Sequence, residues 1–163
     1  MMSKIGFYTG ICWSISFLIS AYSMSHPGWG FAGEILGLLS VWVAGVQLRM
    51  LDIHGIRRRW HKSLTVQLLA AVLCTFVQYI FFRYVDGGRF MQAILDFYAN
   101  PENRAIIEQQ YPGIDVHEVL KSFSTIEISQ LVMSFLIMNS LIAVLLSIPT
   151  MIVSRPRAEK KIR

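Results

Sequence analysis

Residues 126–153, IEISQLVMSFLIMNSLIAVLLSIPTMIV, decide the class of this fold, because their single charged residue, Glu127, lies at one end. A helix that crosses a bilayer needs about 20 mostly apolar residues, since a rise of about 1.5 Å per residue must cover about 30 Å of hydrocarbon. The stretch exceeds that requirement. We therefore predict that residues 126–153 form a membrane-spanning helix.

Three further stretches meet the same requirement: residues 5–24, 31–51 and 64–85. The whole chain is 54% hydrophobic and has a mean hydropathy of +0.49, whereas soluble domains contain about 45–50% apolar residues. The sequence thus predicts an all-α polytopic membrane protein, a single membrane domain with four transmembrane helices. It also predicts a helical segment outside the membrane at residues 86–125 and a basic tail at residues 154–163.

Basic residues are concentrated in alternate connections of the chain, and Lys- and Arg-rich flanks of membrane helices stay in the cytoplasm. The connection RMLDIHGIRRRWHK (49–62) and the tail SRPRAEKKIR (154–163) hold most of the Lys and Arg residues. The connection SHPGWG (25–30) holds none, and residues 86–125 are more acidic than basic. We therefore predict a multi-pass protein of the cytoplasmic (inner) membrane with both termini in the cytoplasm.

The basic run IRRRWHK invites a nucleic-acid interpretation, because Arg clusters beside an aromatic ring bind phosphates. Its place beside a predicted span favours lipid instead, with Trp60 at the interface. We predict no nucleic-acid partner. The residues expected to contact anionic lipid are Arg57, Arg58, Arg59 and Lys62.

The segment between the third and fourth spans is too long for a bare loop in a compact protein. Apolar residues recur at helical spacing in GGRFMQAILDFYAN (87–100) and in DVHEVLKSF (115–123). The pattern predicts two short amphipathic helices, with a stop and restart at which Asn100 is the cap and Pro101 lies in the first turn. They either cover the outer membrane surface or dock a partner.

Motifs of catalysis are absent from the sequence, which has no Cys/His cluster, HExxH, Gly-rich phosphate loop or nucleophile elbow. The His residues fall on both sides of the predicted membrane, so they cannot converge on one metal ion. We predict no catalytic residue, no metal site and no cofactor, and hence a protein that is not an enzyme.

Three charged residues lie at the ends of predicted spans: Glu34, Arg83 and Glu127. Glu34 is expected in the first turn of the second helix, where the helix dipole favours an anion. Ser124 and Glu127 have the spacing of a capping box that opens the fourth helix. We predict an ion pair or small network of Arg83 with Glu34 or Glu127. The alternatives are an Arg83 side chain that reaches the lipid headgroups and a proton or ion path through the two carboxylates.

Amide side chains within the spans are expected to hold helices together, since such hydrogen bonds contribute about 0.6 and up to about 2 kcal/mol each in lipid. They are Gln67, Gln78, Gln130 and Asn139. With the three charged residues, Gln78, Gln130 and Asn139 make up the candidate intramembrane polar network.

Small residues line one side of the first two predicted helices. On the second helix, four of them fall within about 60° of arc at about 100° per residue, and they are Gly33, Gly37, Ser40 and Ala44. Gly6 and Gly10 form a similar strip on the first helix. Such strips let two helix backbones approach closely. We predict that helices one and two pack through them, or that one strip serves a dimer, and that Glu34 faces protein rather than lipid.

The motifs GEILG (33–37), QYIFFRYVDGG (78–88) and STIEISQLVMSFLIMNSLIAVLLSIPT (124–150) follow one another in a characteristic order and spacing. In these the chain resembles the uncharacterised four-helix membrane proteins of Bacteroidetes described as domain of unknown function 4199. It departs from them at IRRRWHKSL (56–64), where many relatives have Tyr-Arg-Asp-Lys followed by Gly. The resemblance implies four helices, an inner-membrane location and no assigned activity, and it suits an accessory role in the cell envelope.

Two functions are left open by the sequence. The first is a non-enzymatic accessory or scaffold subunit of an envelope complex, which binds another membrane protein or a second copy of itself. The second is a small oligomeric transporter or channel that uses its outer-leaflet carboxylates. Charged groups paired in a dry contact favour the scaffold, whereas Glu34 facing a water-filled cleft favours the transporter.

Overall fold

A computed structural model describes residues 1–22, 28–111, 113 and 115–156, and within them it contains helices and connections but no strand. The all-α prediction is confirmed. Four helices are long and apolar enough to cross a membrane, as predicted. Most of the predicted basic tail, residues 157–163, lies outside the described residues.

The helices follow one another as α1 (Met2–Tyr22), α2 (Gly28–Arg49), α3 (Ile56–Ile80), a π-helical segment (Phe81–Val85), α4 (Arg89–Ala99), α5 (Pro101–Gln110), α6 (Val116–Ser124) and α7 (Ile128–Val153). The candidate spans are α1, α2 from Trp29, α3 with the π segment, and α7.

Helix α3 begins at Ile56 and not near residue 64, which is the largest boundary difference from the prediction. Hydropathy finds only the part of a helix that lies in lipid, whereas Arg and Lys extend helices readily. The basic residues Arg57, Arg58 and Lys62 are therefore exposed on the first two turns of α3 and not in a loop. Gly55, just before them, has a φ of +85°, a left-handed conformation that glycine adopts easily.

Packing divides the chain, which the sequence presents as one membrane domain, into two compact units. The bundle unit comprises residues 1–78 together with the chain from residue 134 onwards, and the capping unit comprises residues 79–133. Two clusters of buried residues form the core of the bundle unit. One contains Trp13, Ala70, Ala71, Cys74 and Ala143, and the other contains Ile5, Ala44, Leu48 and Val66.

The glycine strip of α1 packs against α3 and not against α2, so this part of the prediction is wrong. A Cβ atom at Gly6 would lie 2.8 Å from the Cβ atom of Leu69, and one at Gly10 would lie 3.2 Å from the Cα atom of Ala70. Helical spacing shows that a strip is smooth, but it does not name the helix that the strip faces.

The strip of α2 does face α1, through a different side of that helix. A Cβ atom at Gly33 would lie 2.8 Å from the carbonyl oxygen of Ser16, whose hydroxyl donates a 2.6 Å hydrogen bond to the carbonyl of Gly33. At Gly37 the nearest atom to such a Cβ is the Ser16 hydroxyl oxygen, at 3.3 Å. Helix α1 thus presents glycines to α3 and serines to α2.

Helices α2 and α7 meet at their C-terminal ends. A Cβ atom at Gly45 would lie 3.1 Å from the carbonyl oxygen of Thr150. The guanidinium of Arg49 donates from Nε to the carbonyl of Val153 at 2.9 Å, with a second bond from Nη2. A basic side chain therefore caps the carbonyl of the last residue of α7, where the helix dipole favours a cation.

The capping unit contains three short helices rather than two, because the restart at Asn100 opens a helix of its own. The Asn100 side chain accepts a 2.9 Å hydrogen bond from the backbone N–H of Glu102, and Pro101 is the first residue of α5. The predicted cap is confirmed. Helices α4 and α5 contain no buried residue.

Candidate functional site: buried amide contacts and an arginine–glutamate groove

Two amide side chains of the candidate network join α3 to α7 inside the bundle unit. Asn139 donates from Nδ2 to Gln78 Oε1 at 2.8 Å and to Thr75 Oγ1 at 2.9 Å, and all three residues are buried. The Thr75 hydroxyl in turn donates to the carbonyl of Ala71 at 2.9 Å. Thr75 was not among the predicted residues; its position three residues before Gln78, on the same face of α3, is the signal that could have found it.

A second polar contact joins the same two helices. It lies nearer the helix ends that we predict to face the cytoplasm. Gln67 donates from Nε2 to Thr150 Oγ1 at 2.7 Å, and both side chains are fully buried. Within the described part of the chain, buried Gln67 Oε1, Ser63 Oγ and Arg59 Nε have no hydrogen-bond partner. These three residues follow one another at intervals of four positions, so they share one face of α3.

Trp13 is a central residue that the sequence reasoning missed. Its ring packs among the buried alanines of α3 and α7, and its Nε1 donates a 3.0 Å hydrogen bond to the Ser40 hydroxyl of α2. Membrane proteins place Trp mostly at the two interfaces, with the indole N–H reaching water. A Trp in mid-span therefore signals an internal partner, which here lies on the small-residue strip of α2.

Glu34 differs from the prediction in two respects. Because α2 begins at Gly28, Glu34 lies in the second helical turn, beyond the first turn in which the helix dipole acts strongly. Its side chain is exposed, whereas we expected it to face protein. The neighbouring Gly33 occupies the contact with α1, and one residue further the side chain points about 100° away.

Glu127 caps α7 in a different register from the one predicted. Ser124 ends α6, and α7 begins at Ile128, so Ser124 cannot open α7. Instead the backbone N–H of Glu127 donates to Gln130 Oε1 at 3.2 Å, which is the second half of a capping box. Gln130 therefore lies exposed at the helix start and not deep in the span as predicted.

Arg83 lies in the π-helical segment, whose wider turn is closed by the 2.9 Å bond from the N–H of Asp86 to the carbonyl of Phe81. Its side chain is exposed and, among the residues that the structure describes, makes no hydrogen bond or ion pair. The predicted ion pair with Glu127 is therefore not formed. Glu34 belongs to the bundle unit and Arg83 to the capping unit, so their pairing stays a prediction.

Arg83 and Glu127 nevertheless line one open groove of about 480 Å³, which we call the Arg83–Glu127 groove. Its other lining residues are Tyr79, Ile126, Ile128 and Ser129. The Glu127 carboxylate accepts a 3.2 Å hydrogen bond from the Ser129 hydroxyl. A smaller cavity of about 210 Å³ shares the Glu127 wall and is otherwise mostly apolar. The groove thus presents a cation and an anion that do not bond to each other.

No group of three or more His, Cys, Asp or Glu residues that could hold a metal ion occurs within residues 1–22, 28–111, 113 and 115–156.

Comparison with known proteins found no relative of this chain. No protein-family model, curated protein or solved structure matches the chain. The resemblance to the uncharacterised Bacteroidetes family therefore stays a prediction.

Proposed function

We propose that this protein is a non-enzymatic accessory or scaffold subunit of a cell-envelope complex in the cytoplasmic membrane. The dry charge pair expected of a scaffold is not formed between Arg83 and Glu127, so the proposal rests instead on the exposed carboxylate of Glu34 on a candidate membrane span. Acidic residues within spans almost always face a bundle interior or a water-filled cavity, because lipid solvates them poorly. The outer half of α2 therefore requires a neighbour that the described residues of the bundle unit do not supply.

The residues beside Glu34 define the surface on which that neighbour would lie. Phe31 and Leu38 are three residues before and four residues after Glu34, so they share its side of the helix. They are 70% and 66% exposed. A carboxylate between large apolar side chains suits a protein partner with a buried hydrogen-bond donor, and either another membrane protein or a second copy of this chain can provide it.

The buried amide contacts favour a scaffold over a moving carrier. Asn139 and Gln67 use their donor groups on α7–α3 contacts inside the bundle unit. Fully buried alanines at positions 44, 70, 71 and 143 let the helices approach closely. Polar groups engaged in this way stabilise one arrangement of helices.

A photo-crosslinking residue placed at Phe31 or Leu38 tests the proposal, with Leu145, which is 65% exposed on α7, as the matched control. We expect protein crosslinks from positions 31 and 38 and lipid crosslinks alone from position 145. Mass spectrometry then identifies the partner, and Glu34→Leu should reduce its co-purification in mild detergent. A monomer with lipid crosslinks at all three positions would refute the scaffold function.

The proposed orientation, with both termini in the cytoplasm, rests on the exposed basic residues Arg57, Arg58 and Lys62 at the start of α3. Single cysteines at the exposed positions His54 and Glu102 test it in intact cells. A membrane-impermeant thiol reagent should label position 102 and spare position 54 until the cells are opened. The reverse labelling would invert the topology.

The transporter alternative remains open because Glu34 and Glu127 both present exposed carboxylates at the ends of spans. Ion or solute flux into proteoliposomes should then fall strongly in Glu34→Gln or Glu127→Gln and stay unchanged in Glu102→Gln, whose residue lies on α5. Equal flux in wild-type and both first variants would exclude these carboxylates from any transport path.

A further inference from the structure

The Arg83–Glu127 groove carries an inference that does not depend on the scaffold proposal. We propose that this groove binds the headgroup of a zwitterionic phospholipid with a primary ammonium, as in phosphatidylethanolamine. Arg83 would contact the phosphate, and Glu127 would contact the ammonium. The juxtaposition of two unlike charges that line one groove without an ion pair is the feature that calls for such a ligand.

The depth of the groove selects a lipid as its occupant. Arg83 lies two residues before the end of the candidate span Ile56–Val85, and Glu127 directly precedes the candidate span Ile128–Val153. Both side chains are thus at the ends of membrane helices, where the hydrocarbon gives way to the headgroups. Phospholipid headgroups are the charged groups always present at that level.

The phosphate end of the site is built around Arg83. A guanidinium offers paired N–H donors that match two phosphate oxygens, and such charge-assisted bonds are among the stronger ones in proteins. Tyr79 lies four residues before Arg83 in the chain and lines the same groove, so its hydroxyl can add a donor. Arg83 makes no hydrogen bond or ion pair within the described chain. Binding of a phosphate to Arg83 would therefore break no bond within the protein.

The ammonium end of the site is built around Glu127. Its hydrogen bond from Ser129 measures 3.2 Å, which is beyond the usual 2.5–3.0 Å range for a hydroxyl donor. The carboxylate therefore keeps most of its capacity to accept hydrogen bonds from an ammonium group, which has three N–H donors. A choline headgroup has none, and the neutral glycerol of phosphatidylglycerol offers hydroxyl donors but no cation to pair with Glu127.

The dimensions of the site agree with this ligand. The open groove has a volume of about 480 Å³, which is large enough for a headgroup that stays partly in contact with solvent. The smaller cavity, which shares Glu127 with the groove, has Phe82, Phe90 and Leu131 on its mainly apolar wall and Asp86 as a second carboxylate. This apolar wall suits the start of the lipid's acyl region more than water.

Native mass spectrometry of the full-length protein in detergent tests the proposal, with added phosphatidylethanolamine, phosphatidylcholine or phosphatidylglycerol. The wild type should retain phosphatidylethanolamine in preference to the other two lipids. Arg83→Gln should weaken retention of all three by roughly tenfold, the effect of losing a hydrogen bond to a charged group. Glu127→Gln should abolish the preference and bring phosphatidylglycerol to at least the level of phosphatidylethanolamine.

Matched controls are Arg89→Gln and Glu102→Gln, because both residues are exposed in the capping unit and neither lines the groove. They should behave as the wild type does. Equal losses in Arg83→Gln and Arg89→Gln would overturn the proposal in favour of a general surface-charge effect. A wild-type preference for phosphatidylglycerol, or no preference at all, would also overturn it. Since Arg83 and Glu127 are exposed, unchanged melting curves should confirm that the variants fold.

Discussion

The bundle unit buries small residues in close helix contacts, whereas α4 and α5 of the capping unit bury no residue at all. In the bundle unit the fully buried positions include Ala44, Ala70 and Ala143, while large side chains such as Leu145 and Ile152 are more than 60% exposed. In the capping unit, α4 and α5 have no buried residue, and their large apolar side chains are partly covered at most. The two regions of one chain therefore follow different packing rules.

We attribute the difference to the solvent predicted for each region, lipid around the four spans and water around the short helices. Lipid tails are as apolar as leucine, so burying leucine between two membrane helices gains little, and close backbone contact and hydrogen bonds hold the bundle instead. Short helices in water are marginal without capping and side-chain contacts. The capping unit accordingly depends on local devices such as Asn100 and the pair of bonds from the N–H of Phe90 to the Asp86 carboxylate, each 3.1 Å long.

The largest expected effect comes from filling a close contact in the bundle unit. Gly33→Leu should destabilise the protein by about 3 kcal/mol or more, because overpacking a tight contact forces the backbones apart. Ala32→Leu is the matched control, since residue 32 is exposed on the same helix, and it should change stability by no more than about 0.5 kcal/mol. Detergent unfolding followed by tryptophan fluorescence measures both, in a background where the other three Trp residues are replaced by Phe so that only buried Trp13 reports. Equal losses would show that the α1–α2 contact is not the constraint.

The next effect is the loss of a buried hydrogen-bonding amide. Asn139→Leu keeps the approximate size of the side chain but removes its bonds to Thr75 and Gln78 and leaves both partners buried without it, at an expected cost of about 1–3 kcal/mol. Ser140→Ala serves as the neighbouring control because the Ser140 hydroxyl bonds only within its own helix, to the carbonyl of Leu136 in the described chain. A double-mutant cycle with Gln78→Leu should show positive coupling; independent effects would contradict the contact.

A smaller and local effect is expected in the capping unit. Asn100→Ala removes the cap of α5 and should cost about 1 kcal/mol of helix stability. Hydrogen exchange at the amides of Glu102 and Asn103 should accelerate severalfold, while the global unfolding of the bundle unit stays unchanged. Asn100→Asp retains a capping oxygen and should preserve protection. A fall in global stability equal to the local loss would contradict the difference between the two units.

The smallest effect concerns the exposed ion pair within α5. Arg104 donates from Nε to Glu108 at 2.8 Å, and both side chains are substantially exposed. A double-mutant cycle with Arg104→Ala and Glu108→Ala should give a coupling of about 0.5 kcal/mol or less, and added salt should reduce it further. Coupling above about 1 kcal/mol would indicate that the pair is covered by a partner or by the membrane surface.

Features that depend on residues close together in the sequence were predicted correctly. The four spans follow from length and hydropathy, and the Asn100–Pro101 restart follows from the chemistry of helix starts. The early start of α3 and the Glu127–Gln130 register of the last cap were missed. Hydropathy finds only the apolar part of α3, and capping-box spacing fits both Ser124–Glu127 and Glu127–Gln130, so residue type alone does not fix either boundary.

In the candidate site, too, the types of residue were predicted correctly but some of their contacts were not. The sequence identified Asn139 and Gln78 as adhesive amides, because lipid offers a polar side chain no other partner. It also singled out Arg83 and Glu127, but it predicted an ion pair where the structure has an open groove with both charges on its wall. Which charges meet depends on how two helix ends are spaced, and no local pattern encodes that spacing.

The amino-acid sequence by itself determined that this chain is an all-helical membrane protein with four spans, because backbone groups in lipid must be satisfied within each segment. It also determined which positions are small enough for close contact. Only the tertiary structure decided that Gly6 and Gly10 face α3, that Trp13 bonds to Ser40, and that Glu34 is left exposed. Helices immersed in lipid are apolar on every side, so hydrophobicity cannot choose their neighbours, and the choice falls to shape and hydrogen bonds between residues far apart in the chain.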